Sequence, residues 1–131
     1  MKKLILFMAL IAFAATSCQN EGKPTPLAID NALTAAEIEA GILSPEVMWK
    51  MGRVGSQKLS PDGTLAAFTI TYYNMASNKG KTDLYLMPAE GGEVVRLVRN
   101  ASSPQWVGGR IYYMAGDGQV WSILPDGSDK V

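Results

Sequence analysis

The sequence predicts an all-β fold: an incomplete β-propeller of about two four-stranded blades, preceded by two short helices. From Gly55 onward, short segments rich in β-branched and aromatic residues alternate with turns that contain Gly, Pro and Asp. The order of strand and turn signals then repeats after about 40 residues, a period typical of a propeller blade. A β-sandwich or an open meander is the competing all-β interpretation.

The first 17 residues have the composition of a secretory signal peptide. Lys2 and Lys3 precede an uncharged apolar run from Leu4 to Ala15, and small residues follow as far as Ser17. A transmembrane anchor is the alternative, but the apolar run is too short to cross about 30 Å of hydrocarbon. We therefore expect residues 1–17 to direct export.

The single cysteine, Cys18, directly follows these small residues and is succeeded by polar residues. This arrangement resembles the bacterial lipobox, which implies that Cys18 carries lipid and anchors the protein at a membrane surface. Ordinary cleavage that leaves a free thiol is the alternative. We expect a lipoprotein of the cell envelope, in the periplasm or at the outer membrane. Residues 18–33 contain two prolines and are predicted to form a linker.

Residues 34–54 are predicted to form two short helices. Thr34 and Glu37 have the spacing of a capping box, and Gly41 is a typical residue for ending the first helix. In Ser44-Pro45-Glu46, the serine suits the N-cap, the proline suits the first helical turn, and the glutamate suits the positive end of the helix dipole.

Residues 55–131 are predicted to form the blades, the first over about 55–99 and an incomplete second over about 100–131. A polar loop is expected over Asn74–Thr82. The predicted strands are Gln57–Ser60, Leu65–Tyr73, Asp83–Pro88, Glu93–Val98, Ser103–Val107, Arg110–Ala115 and Gln119–Leu124.

Three short motifs define the proposed repeat. Ser60-Pro61 is aligned with Ser103-Pro104, Leu84-Tyr85-Leu86 with Val120-Trp121-Ser122, and Glu90-Gly91-Gly92 with Asp126-Gly127-Ser128. The residues predicted to have structural roles in the repeat are Ser60, Pro61, Asp62, Gly63, Asp83, Tyr85, Gly91, Gly92, Trp121, Asp126 and Gly127.

The remaining side chains that could carry chemistry have ordinary structural explanations. Asp62, Asp117 and Asp126 each precede a glycine in a predicted turn, and their spacing does not match a calcium loop. The three tryptophans are predicted to be core residues rather than a ligand-binding surface; they are Trp49, Trp106 and Trp121. We predict no metal site and no cofactor.

Two stretches resemble known families. Ser60-Pro61-Asp62-Gly63 followed by Ala66-Ala67-Phe68, together with Asp83-Leu84-Tyr85-Leu86, resembles the repeat of TolB-like and WD40-like propellers. The stretch Leu43–Val54, which runs into that motif, is similar to the opening of prolyl oligopeptidase-type serine peptidases of the acylaminoacyl-peptidase and dipeptidyl-peptidase branch. This resemblance implies a propeller that admits short peptides to a C-terminal α/β-hydrolase domain carrying the catalytic triad.

The composition limits what this chain can do by itself. It contains no histidine and no Gly-x-Ser-x-Gly pentad, so it cannot assemble a Ser-His-Asp triad. No catalytic residue is therefore predicted, and we expect the chain alone to be inactive. Twelve basic residues balance twelve acidic ones, so no charge excess favours a nucleic-acid partner.

The length leads to three functional hypotheses. Propellers close with about four to eight blades, so we expect a fragment of a longer product, a truncated reading frame, or a segment that assembles with other chains. The chain is then the front of an exported serine exopeptidase with peptide substrates, a TolB-like binding lipoprotein without catalysis, or a remnant without a stable fold.

Overall fold

A computed structural model describes residues 24–26 and 32–131. The predicted signal peptide and Cys18 lie outside the described residues, as does most of the predicted linker. The elements in chain order are β1 (Thr25–Pro26), α1 (Ala35–Ala40), α2 (Pro45–Lys50), β2 (Arg53–Leu59), β3 (Leu65–Asn74), β4 (Lys79–Pro88), β5 (Val95–Val98), β6 (Ala101–Val107), β7 (Arg110–Ala115) and β8 (Val120–Ile123). None of the helices in this part of the chain has the length and apolar character needed to cross a bilayer.

Both predicted helices form, and their predicted caps are confirmed. The Thr34 hydroxyl accepts a hydrogen bond from the Glu37 N–H at 3.3 Å, and the Glu37 carboxylate accepts one from the Thr34 N–H at 2.8 Å. Gly41 ends α1 in the left-handed conformation, with φ 61°. The Ser44 hydroxyl accepts from the Val47 N–H at 3.3 Å and so begins α2.

One ion pair joins the two helices. The Lys50 ammonium lies 2.8 Å from the carboxylate of Glu37. Hydrogen bonds lower the pKa of Glu37 to about 2. The bond from Lys50 has the largest effect, and the bonds from the backbone and hydroxyl of Thr34 have smaller ones. The carboxylate therefore stays charged in mildly acidic solution, where the contact between the helices is retained.

The first sheet is antiparallel, with strand order β1-β5-β4-β3-β2. The predicted loop over Asn74–Thr82 is wrong, because β3 and β4 pair without interruption as far as Asn74 and the loop covers only residues 75–78. The hydroxyls of Thr71 and Thr82 hydrogen-bond across this pair at 2.8 Å. Polar side chains on an exposed part of a hairpin pair across the strands, so polarity alone is a poor guide to where a loop begins.

The second sheet, β6-β7-β8, is also antiparallel. Its first strand contains a bulge between Ser102 and Gln105, where Ser103 has φ 53°. The first strand of the other sheet, β2, contains a bulge between Gly55 and Lys58, where Ser56 has φ 49°. The two sheets therefore repeat a strand with a central bulge followed by a hairpin.

The positions of the two bulges contradict the predicted alignment of Ser60-Pro61 with Ser103-Pro104. Ser103-Pro104 lies inside the β6 bulge, whereas Ser60-Pro61 lies in the turn between β2 and β3. Unlike Ser60-Pro61, it is not followed by Asp-Gly, so no carboxylate is available there to close a turn. In the second sheet the turn instead uses Gly108 and Gly109, at φ 54° and 80°.

The two sheets pack against each other with β6 alongside β2, β3 and β4. A core cluster between them contains side chains from both sheets: Ala67, Leu84, Leu86, Leu97, Ala101, Ile111, Tyr113 and Ile123. A second cluster on β3 and β4 consists of Phe68, Ile70 and Tyr85. The described chain is thus mostly β, as predicted.

Candidate functional site

The motif from Ser60 to Gly63 forms a closed turn. The Ser60 hydroxyl donates to the Asp62 carboxylate at 2.5 Å, and that carboxylate also accepts from the N–H and hydroxyl of Thr64 at 3.1 and 2.9 Å. The bond from Ser60, followed by those from Thr64, lowers the pKa of Asp62. Pro61 is exposed and Gly63 has φ 73°. The carboxylate serves the turn itself.

Asp83 holds the connection between the two sheets. Its side chain is buried on β4, and one carboxylate oxygen accepts from the backbone N–H of Asn100 at 2.8 Å. The other oxygen lies 3.6 Å from Nη1 of buried Arg96 on β5. Because Asn100 immediately precedes β6, this buried pair positions the strand on which the second sheet begins.

The other turn residues of the predicted repeat also have local partners. The Asp126 carboxylate accepts from the N–H and the hydroxyl of Ser128 at 2.9 and 2.7 Å. Both bonds lower the pKa of Asp126, and the bond from the hydroxyl has the larger effect. Gly127 follows at φ 81°. Gly91 and Gly92, at φ 95° and 138°, lie between β4 and β5.

The aromatic residues of the repeat lie in or beside the core. Tyr85 is buried and stacks on Phe68, with ring centroids 6.0 Å apart. Trp121 and Trp106 are half-buried and pack against the core cluster. The Lys130 ammonium lies 5.0 Å from the ring centroid of Trp121. The structure thus distributes the predicted repeat residues over separate turns and strands and does not bring them together in one site.

Sequence reasoning missed a cluster at the junction of α2 and the first sheet. The guanidinium carbon of Arg53 lies 4.6 Å from the ring centroid of Trp49 and 4.6 Å from that of Tyr73. The two rings meet edge to face, 5.5 Å apart with an interplanar angle of 70°. No sequence spacing signals this contact, because it joins a helix, the start of β2 and the far end of β3.

A second arginine was also missed. Arg110, at the start of β7, donates from Nη1 to the Asp129 carboxylate at 2.6 Å and from Nε to the Ser122 hydroxyl at 3.1 Å. The backbone of Ser122 exchanges two hydrogen bonds with Val131, at 2.7 and 3.0 Å. The last residues therefore run beside β8. Within the described part of the chain, no three potential metal ligands lie together.

Comparison with known proteins shows that the chain is similar to a group of peptidases. Dipeptidyl-peptidase 5 of Porphyromonas endodontalis is 34% identical over an alignment of 100 residues, which covers 70% of this chain and 14% of that protein. The chain is a partial homologue of prolyl oligopeptidase-type peptidases. Dipeptidyl-peptidase 5 of Porphyromonas gingivalis is 28% identical over an alignment of 81 residues, which covers 58% of this chain and 12% of that protein. No family model matches the chain.

The similarity to these peptidases concerns their N-terminal part. The chain spans 14% and 12% of the length of the two curated relatives. Among solved structures, the acylaminoacyl peptidase of Pyrococcus horikoshii superposes with a TM-score of 0.55 and 21% identity, over 64% of this chain and 14% of that one. That superposition shows a shared fold over the matched region.

Proposed function

We propose that the chain is the non-catalytic N-terminal propeller portion of an exported serine exopeptidase, and that it controls the access of short peptides to a catalytic α/β-hydrolase domain. The observation that carries the proposal is the 34% identity to a dipeptidyl-peptidase 5 over 100 residues. The chain has no histidine, so the general base of a serine peptidase must come from residues outside it.

The propeller arrangement is supported by equivalent positions in the two sheets. After the β2 bulge, Lys58 pairs with Ala67, and after the β6 bulge, Gln105 pairs with Tyr112. Ala67 and Tyr112 therefore occupy equivalent places on β3 and β7. Ala67 is buried in the core cluster that holds the two sheets together.

Tyr112, by contrast, lies on an exposed apolar face of the second sheet. Tyr112 is 38% exposed, Met114 two residues further along β7 is 40% exposed, and Val120, which pairs with Met114, is 64% exposed. In the first sheet the equivalent face is covered by the second sheet. A third sheet covering Tyr112, Met114 and Val120 would extend the same packing in the same direction, as a propeller requires.

We expect Met114 to be protected in a longer product that contains the next sheet. Exposed methionines are oxidised readily, whereas packing beneath a sheet excludes the oxidant. Brief hydrogen peroxide treatment followed by peptide mass spectrometry should oxidise Met114 in the 131-residue chain and leave it largely intact in the longer product. Met75, 61% exposed in the β3–β4 loop, is the internal control. Equal oxidation of Met114 in both proteins would contradict the stacked-sheet arrangement.

The proposed function is tested by the coding sequence beyond codon 131. We expect further blades, then a Gly-x-Ser-x-Gly pentad followed by an aspartate and a histidine. The encoded protein should release a dipeptide from a dipeptide-coumarin substrate, whereas the pure 131-residue chain should not. Additional blades followed by a stop codon would reject the peptidase and leave a binding propeller.

The proposal includes export and lipid attachment at Cys18, with the mature protein held at the cell envelope. It rests on the order of Lys2, Lys3, the apolar run and Cys18 in the sequence. Intact-mass measurement of protein from a bacterial membrane fraction should show an acylated chain that begins at Cys18. If the Cys18→Ser variant still carried the added mass of the acyl chains, lipid attachment at Cys18 would be contradicted.

A further inference from the structure

The guanidinium of Arg53 lies against the rings of Trp49 and Tyr73 at the surface. We call these three residues the aromatic notch. Arg53 is exposed at the start of β2, and both rings are half-buried. The rings lie at 70° to each other, and the guanidinium carbon is 4.6 Å from each centroid. Contact with two rings restricts the rotamers of a long side chain and removes much of the entropy cost of using it in binding.

The guanidinium of Arg53 differs from the other two arginines described above in what it contacts. Arg96 lies beside Asp83, and Arg110 beside Asp129. For Arg53, among the described residues, the structure records ring contacts and neither a hydrogen bond nor an ion pair. The two ring centroids are 5.5 Å apart and each lies 4.6 Å from the guanidinium carbon, so both rings lie on one side of the guanidinium. The rings do not cover the N–H groups directed away from them.

We propose that the aromatic notch binds a carboxylate group. The planar fork of an arginine matches the two oxygens of a carboxylate, and rings on one side of the guanidinium leave N–H groups on its other side to donate. The carboxylate has two possible sources: the C-terminus of a peptide in solution, or an acidic side chain elsewhere in a longer product. The inference rests on the notch alone and stands independently of the proposed peptidase function.

The test uses the full 131-residue chain labelled with ¹⁵N. Acetyl-Ala-Ala with a free C-terminal carboxylate is titrated at constant ionic strength while the Nε–H resonance of Arg53 and the indole N–H resonance of Trp49 are followed. We expect both resonances to shift and saturate, and the matched peptide amide to produce no saturable shift. Equal shifts with carboxylate and amide, or no saturation with either, would overturn the proposal.

Substitutions separate recognition from simple charge attraction. Arg53→Lys keeps the charge but loses the fork, so we expect the affinity for the carboxylate to fall by at least about fivefold. Arg99→Lys changes an exposed arginine outside the notch and should leave the affinity unchanged. Trp49→Leu removes one ring, and should weaken binding while the amide spectrum remains dispersed. Wild-type affinity in both Arg53→Lys and Trp49→Leu would refute the notch as the site.

The two sources of the carboxylate are distinguished in the longer product. If an internal acidic side chain occupies the notch, the Arg53 Nε–H resonance should already lie at the carboxylate-bound position and should not respond to added peptide. If the notch serves free peptides, the resonance should respond as it does in the 131-residue chain. An unresponsive resonance at the unbound position would contradict carboxylate binding in that protein.

Discussion

Replacing Leu84 with alanine is expected to lower the free energy of unfolding by about 2–5 kcal/mol. The Leu84 side chain is 0% exposed and belongs to the core cluster between the two sheets. Its removal deletes buried apolar surface and leaves a cavity, because side chains from two different sheets cannot both relax to fill the space. The loss therefore weakens the contact that holds the sheets together.

The measurement is urea unfolding of the full chain, followed by the fluorescence of its tryptophans. Trp106 and Trp121 pack against the same cluster, so their emission reports on its integrity. Val120→Ala is the matched control, because Val120 is exposed and its truncation should change stability by no more than about 0.5 kcal/mol. Coincident unfolding curves for Leu84→Ala and Val120→Ala would contradict the assignment of Leu84 to the core.

Replacing Asp83 with asparagine should lower the free energy of unfolding by about 3–5 kcal/mol. Asparagine has nearly the same shape, and its carbonyl oxygen can still accept the hydrogen bond from the Asn100 N–H. The substitution therefore removes mainly the negative charge beside Arg96, whose side chain is buried. A buried cation without a counter-charge bears the full cost of its desolvation.

A double variant separates this charge effect from a loss of packing. Asp83→Asn combined with Arg96→Met removes both charges and keeps an unbranched side chain at position 96. We expect the double variant to recover most of the stability lost in Asp83→Asn, because a buried ion pair replaced by well-packed neutral groups is often close to neutral. Urea unfolding of the three proteins makes the comparison. An equal loss in the single and double variants would show that Asp83 acts through shape or its hydrogen bond to Asn100.

Local physical chemistry explains the predictions that are confirmed. The caps of α1 and α2 depend on residues within one helical turn, such as Thr34 with Glu37. The turn at Asp62 and Gly63 depends on a carboxylate that reaches the backbone two residues ahead. Strand β7 coincides with the predicted Arg110–Ala115, because its run of apolar and aromatic residues is bounded by glycines on both sides.

The features that were missed depend on residues distant in the sequence. The length of the β3–β4 hairpin follows from cross-strand pairs such as Thr71 with Thr82, which propensity along a single strand does not express. The correct repeat alignment depends on the bulges at Ser56 and Ser103, and the same serine-proline pair forms a turn in one place and a bulge in the other. Nothing local distinguishes Arg53 from any other exposed arginine.

The sequence by itself determined the class of structure, the positions of caps and turns, the lack of a histidine for a catalytic triad within these 131 residues and the relationship to peptidases. Each of these follows from residue identity, short spacing or composition. Only the tertiary structure decided which faces of the sheets are covered, which bulges correspond, and which arginine contacts two aromatic rings. Those properties arise when distant segments come together, because burial and pairing are energies of contacts between strands and not of any one segment.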